Sequence, residues 1–406
     1  MLSTIRNLIF IFIIMVFLGF SLMVISYSLP TDHAYECIIQ DAGQFDDLYR
    51  EIIPGYASTR LDLFTDVVFL SATSYYDENI SLIENSMSFL HVSGSNLNSY
   101  VNGDYSGIWS YSRYWGGYLV VLKLFFLFFN YNTFKILELF FALVVILGII
   151  KEMIKKNLKN FIIPFLFSLF FIHLEVMVLN IQFSVMLNIM LISVFLLLKF
   201  KEIIFKNNRL FYYFLIIGMA TSFFDLLTCP LLSFAVPMIF YLLLEKDQSN
   251  IKDNLCKIFL FGIIWSVGYV GMWVSKWIIA SIILNENIVT DALNQLLFRT
   301  SSVGYSRIGA ILSNVLVYKK KSYLIIFLLI AIYYIKRLRD YRNNISKNNL
   351  KELSPFFVIA MIPFVWYFIL SNHSTIHFWF TYRDLFIFFF SIMCSLELII
   401  RRKFYT

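Results

Sequence analysis

Long apolar runs separated by short polar breaks dominate the chain, and their lengths predict helices that cross a bilayer. Residues 8–27 form the first run, and about twenty apolar residues is the number one helix needs to span a hydrocarbon core. Further runs predict spans over about 133–150, 161–176, 181–198, 210–224, 231–244, 258–274, 323–335, 355–370 and 385–400, roughly ten in all. Two polar stretches interrupt the series, 28–115 and 276–321, and loops of that length carry function or small elements of their own. The first is expected to hold two or three short helices, one over 60–70, and then an irregular Ser/Asn/Gly-rich piece over 93–107. Residues 112–129 are apolar but carry Lys123 and end at the polar break 130–133. A full span there would reverse the side of every later loop, so a re-entrant or interfacial segment is expected, packed in protein close to the site. The fold class predicted is an all-α polytopic membrane protein of about ten transmembrane helices with short amphipathic helices in a long first extracytoplasmic loop. One integral-membrane domain, 1–406, then divides into 1–27, 28–115, 116–275 (membrane bundle), 276–321 (second extracytoplasmic segment) and 322–406 (C-terminal spans).

Composition agrees and fixes the orientation. The chain is 59% hydrophobic and only 15% charged, against roughly 25% charged in a soluble domain. Its net charge of +7 comes from Lys and Arg clustered between the apolar runs, as at 151–159, 199–209, 245–257, 336–351 and 401–403. That distribution marks cytoplasmic loops rather than a nucleic-acid surface, so no nucleic-acid partner is expected. Arg6 before the first span and Arg401 to Lys403 after the last put both termini in the cytoplasm of a cell inner or plasma membrane. The stretch 28–115 is more acidic than basic, which suits the opposite side. The first span lacks a small-residue cleavage site and is expected to be retained. Cys37, Cys229, Cys256 and Cys394 have no C-x-x-C spacing, so neither a zinc site nor a disulfide framework is indicated.

The chemistry is expected in the stretch 56–77, where Arg60, Asp62 and Asp66 lie within two turns. On a helix over 60–70 the two carboxylates would share a face, with Val67, Val68 and Leu70 resting on the bilayer. Two carboxylates and a guanidinium there suit acid/base work on an anionic lipid-linked substrate; the same pattern also fits a merely solvated loop helix. Polar residues at the ends of apolar runs are costly near a bilayer and are usually kept for a purpose. Here they are His173, Glu175, Asp225, Trp273, Lys276, and His373, His377, Arg383 and Asp384 of the last short loop. With Arg113, Arg299 and Arg307 they emerge on the same side as Asp62 and Asp66, which suggests one pocket. His373 and His377 share the i,i+4 spacing of a zinc pair, but Ser374 stands where H-E-x-x-H has its Glu, and no metal site is expected.

The arrangement resembles the GT-C superfamily of integral-membrane glycosyltransferases: one span, a long acidic loop with R-L-D-L-F-T-D at 60–66, R-Y-W-G-G-Y at 113–118, a bundle, and the loop H-S-T-I-H-F-W-F-T-Y-R-D at 373–384. The resemblance implies a polyprenyl-phosphate-linked sugar donor, a glycan or lipid acceptor, the lipid bilayer as the medium, and inverting transfer on the extracytoplasmic face. Asp62 or Asp66 would be the general base, with Asp32, Glu36 and Asp41 nearer the first span, where many members carry their acidic residue. Arg60, Arg113, Lys276, Arg299, Arg307, His373, His377 and Arg383 would bind substrate. No cofactor is implied, a divalent cation on the second carboxylate being the one alternative. A bacterial polymer-building or polymer-decorating transferase is the member to compare with. A lipid-linked oligosaccharide or O-antigen-type polymerase, and a polysaccharide-precursor flippase or transporter, are the other readings. A transporter wants charges at the bilayer midplane and paired discontinuous helices, and only Lys123, Lys135 and Glu138 come near that.

Overall fold

A computed structural model describes residues 2–245, 250–340 and 352–401. The parts of the expected basic clusters that fall on 246–249, 341–351 and 402–406 lie outside the described residues. Among the described residues the fold is all-α, with one two-stranded antiparallel ribbon, β1 (Leu90–Val92) and β2 (Ile108–Ser110), in the register Leu90 opposite Ser110. Among the described residues four helices are long and apolar enough to cross a membrane: α1 (Leu2–Tyr27), α7 (Tyr131–Lys155), α10 (Ile181–Lys199) and α14 (Ile251–Leu284). Between α1 and α7 lie α2 (Asp32–Asp41), α3 (Leu63–Ser74), α4 (Leu82–Ser88), α5 (Leu97–Val101) and α6 (Tyr118–Phe125). Then come α8 (Ile162–Phe171), α9 (Leu174–Leu179), α11 (Lys201–Ile204), α12 (Arg209–Phe224) and α13 (Leu231–Glu245). After α14 follow α15 (Ile288–Thr300), α16 (Arg307–Val315), α17 (Lys321–Asp340), α18 (Ser354–Ile369), α19 (Ser371–Ile376), α20 (Phe378–Thr381) and α21 (Leu385–Arg401).

The apolar runs became helices, with instructive departures. The run 161–176 is broken, because His173 takes a left-handed conformation (φ 57°) between α8 and α9. The run 258–274 is only the middle of α14, a helix of 34 residues that starts at an Asn250 side chain accepting the Asp253 N–H and ends on Asn285 at φ 52°. No proline or glycine interrupts 275–284, so nothing stops the helix where the hydropathy falls. Helices α12 and α14 pack backbone to backbone: a Cβ on Gly218 would lie 2.1 Å from the Trp265 carbonyl oxygen, so only glycine permits that approach. Helix α1 buries little of itself, leaving Ile9, Phe10, Ile13 and Phe17 exposed.

The helix expected over 60–70 is displaced to Leu63–Ser74, and its environment differs from the amphipathic picture. Asp62 is its N-cap rather than a residue on its face. Val67, Val68 and Leu70 are each 1% exposed, in protein core and not on a surface. The polar residues that made the stretch look amphipathic are satisfied internally, Ser71 Oγ donating to Val67 O at 2.8 Å and Thr73 Oγ1 to Phe69 O at 2.7 Å. Helix α6 has eight residues, about 12 Å at 1.5 Å per residue and far short of a span, and Lys123 donates to Thr73 O of α3 at 2.9 Å.

Candidate functional site

A cavity of about 340 Å³ gathers groups from five distant segments of the chain. Arg60 and Asp62 enter it from the start of α3, Arg113 from the turn before α6, Gln182 from α10, Arg299 from the end of α15, and His373 and His377 from α19 and its C-terminal cap. Tyr49, Tyr111, Tyr114 and Trp379 supply aromatic walls. Six of the ten residues picked out as site residues therefore line one space.

The turn carrying Arg113 is pinned on both sides. Trp277 Nε1 donates to Arg113 O at 2.9 Å, and Trp115 Nε1 donates to Met272 O at 2.8 Å. Gly116 closes this turn at φ 63°, a conformation costly to any side chain.

Asp62 is 3% exposed and accepts both donors of Thr65, the backbone N–H at 3.1 Å and Oγ1 at 2.8 Å. Burial pushes its carboxyl up to about 6, against the lowering pull of the Thr65 bonds and of nearby Arg383. A carboxylate titrating there is ionised at neutral pH yet basic enough to accept a proton. Three guanidiniums line the same cavity. Arg60 pairs with Glu51 at 3.1 Å and lies over Trp379; Arg113 pairs with Asp291 at 3.0 Å and lies over Tyr111 and Tyr114. Arg299 differs, because among the described residues no carboxylate pairs with it. Its Nη1 donates to His377 Nε2 at 3.0 Å, and since arginine only donates, that nitrogen accepts and the imidazole is neutral. Burial and the Arg299 charge take His377 down to about 4, which agrees. His373 donates through Nε2 to Leu227 O at 3.0 Å, while its Nδ1 has no partner. Gln182 Oε1, Arg60 Nε and Arg113 Nε are likewise buried without partners among the described residues. Such atoms are costly unless a ligand engages them.

The remaining four candidates sit elsewhere. Asp66 is fully buried and does not line the cavity; it accepts from the Tyr131 hydroxyl, from Asn180 Nδ2 at 3.1 Å and from the Ile181 N–H at 2.9 Å. Asn180 returns its side-chain oxygen to the Asp62 N–H at 3.2 Å, so Asp66 and Asn180 together fix where α3 begins. Burial pushes the Asp66 carboxyl up to about 7. Lys276 is fully buried with its ammonium on Met87 O at 2.7 Å. Arg307 lies exposed over Phe368, donating to Phe368 O at 3.1 Å. Arg383 is fully buried and spends its guanidinium on the carbonyls of Ile172, Trp379 and Ser58. All three cations are thus held by backbone carbonyls outside the cavity.

Thr65, Asn180 and Gln182 are not among the residues expected to form the site. Asn180 and Gln182 did leave a signal, two amides in a short polar break between apolar runs. The His373–His377 pair is committed to Leu227 and Arg299, and no group of three metal-ligating side chains gathers among the described residues. No protein-family model, curated protein or solved structure matches this chain.

Proposed function

We propose that the protein is an integral-membrane glycosyltransferase that moves a sugar from a polyprenyl-phosphate donor to a cell-envelope glycan or lipid acceptor. In this reading the chain is multi-pass with both termini cytoplasmic, and the cavity opens on the extracytoplasmic face. The observation that carries it is the pairing of one carboxylate, Asp62, with the guanidiniums of Arg60, Arg113 and Arg299 across a single cavity. Asp62 takes the proton of the acceptor hydroxyl as its oxygen attacks the anomeric carbon. The bond from that carbon to the phosphate oxygen breaks, and its electron pair stays on the departing phosphate. Negative charge accumulates there, and Arg299, which has no carboxylate of its own among the described residues, is the group free to neutralise it. The aromatic walls suit stacking on a sugar face. Asp66 keeps Asp62 in position and does not reach the reactants.

A cavity of about 340 Å³ is near the lower end of ligand sites and suits a single sugar phosphate better than an oligosaccharide, which favours a transferase over a polymerase. The test is incubation of membranes containing the full chain with a labelled polyprenyl-phosphate sugar. Release of polyprenyl phosphate with transfer of label to an acceptor is the expected result. No release from any donor, single-sugar or oligosaccharide, overturns the reading.

A further inference from the structure

At the opposite end of α3 from Asp62, about 18 Å along a helix of twelve residues, lies a second cavity of about 390 Å³. It opens between the start of α2, the end of α3 and the 100–105 turn. Four tyrosines form a box. Tyr100 meets Tyr35 at 5.5 Å between ring centres, Tyr105 at 5.6 Å and Tyr75 at 6.3 Å, and Tyr75 and Tyr105 stand 5.5 Å apart. The box is braced by the Tyr35 hydroxyl on Tyr100 O at 3.2 Å and by a 2.7 Å bond between the Ser74 and Tyr100 hydroxyls.

Three carboxylates line the same cavity, those of Asp32, Asp77 and Glu78, and among the described residues no Lys, Arg or His does. Asp77 is held in place by two bonds from Asn79, both 2.9 Å, and by its own N–H on Asn85 Oδ1 at 3.0 Å. Other tyrosines of this protein carry a cation of its own over the ring: Arg113 on Tyr111 and Tyr114, Lys123 on Tyr27, Lys135 on Tyr131, and Lys320 on Tyr56. Among the described residues no Lys or Arg stacks on the four rings of the box, and none of the three carboxylates is ion-paired. Tyr105 is 46% exposed and Tyr35 and Tyr75 are half-buried, while Tyr100 is buried; the open tyrosine faces beside uncompensated negative charge attract a cation by ring quadrupole and Coulomb force together. An anion is repelled, and a neutral saccharide meets the carboxylates only through hydroxyl hydrogen bonds, without the ring-quadrupole and Coulomb attraction that a cation has.

We propose that this cavity binds a small organic ammonium group, a primary or quaternary amine such as a lipid headgroup or an amino sugar carries. The site is separate from the Asp62 cavity and its occupancy does not depend on the chemistry assigned there. The test is titration calorimetry on the detergent-solubilised full chain with choline, with its uncharged isostere 3,3-dimethylbutan-1-ol, and with glucose. Choline is expected to bind and the other two not. Asp32→Asn combined with Glu78→Gln should weaken choline by at least about tenfold, and Tyr105→Leu by a similar factor. All three side chains are solvent-exposed or nearly so, so their variants should fold normally. Asp62→Asn should leave choline binding unchanged. Equal binding of choline and its isostere, binding of glucose alone, loss of choline binding in Asp62→Asn, or no binding of any probe each overturns the proposal.

Discussion

Replacing Asp66 separates the two carboxylates most sharply, because Asp62 lines the cavity while Asp66 is buried among three protein donors outside it. Asp66→Ala removes the acceptor for three buried donors, the Tyr131 hydroxyl, Asn180 Nδ2 and the Ile181 N–H. A buried donor left unpaired costs about 1–3 kcal/mol, so the lower end for three gives a loss of about 3 kcal/mol. Asp66→Asn should cost less, since its carbonyl oxygen can still take the Ile181 N–H. The pH dependence carries a second signature. Burial raises the Asp66 carboxyl to about 7, so the native state holds that proton more tightly than the unfolded chain. Stability should therefore fall as pH rises from about 4 to about 7 and level off above, and Asp66→Asn should flatten that fall. The assay is denaturant unfolding of the detergent-solubilised chain at pH 5 and pH 8, followed by tryptophan fluorescence, beside donor turnover. An Asp66→Ala protein that unfolds like the wild type but has lost turnover would move the base from Asp62 to Asp66.

Three further outcomes are expected. The acid limb of turnover should lie near pH 6, with activity rising as Asp62 loses its proton, and should vanish in Asp62→Asn; a limb near 4 would point to another group. Arg299→Ala should raise KM for the donor by about tenfold or more, with Lys restoring it only in part, because the two-pronged contact to phosphate is lost; an unchanged KM would remove Arg299 from donor binding. Reporter fusions after residues 45, 90 and 300 should read extracytoplasmic and those after 155 and 205 cytoplasmic, and a cytoplasmic signal at 90 would put the cavity on the wrong face for this chemistry.

Much of the architecture can be read along the chain because hydropathy is a one-dimensional signal. The run over 181–198 becomes α10 almost residue for residue. The left-handed turn at His173 left no such trace, since its backbone is set by packing rather than by a glycine. Helix α3 misleads for a physical reason. Its Ser, Thr and Asp residues look solvent-facing in sequence, yet each is paid by a partner inside the protein, so a buried helix imitates an amphipathic one. The cavity was foreshadowed where polar residues end apolar runs, as with Arg113, His373 and His377. Lys276 and Arg383 satisfy that rule equally well but find backbone carbonyls instead of a ligand space, a difference that depends on contacts with Met87, Ser58 and Ile172, far away in sequence.

Whether Asp62 takes the acceptor proton is decided by single-turnover release of polyprenyl phosphate by wild type and Asp62→Asn, with donor binding measured in parallel. The substitution keeps the shape and the carbonyl acceptor for Thr65 while removing the base. The rate should fall by about 100-fold or more with donor affinity nearly unchanged. Near-normal release by a well-folded Asp62→Asn protein would contradict it.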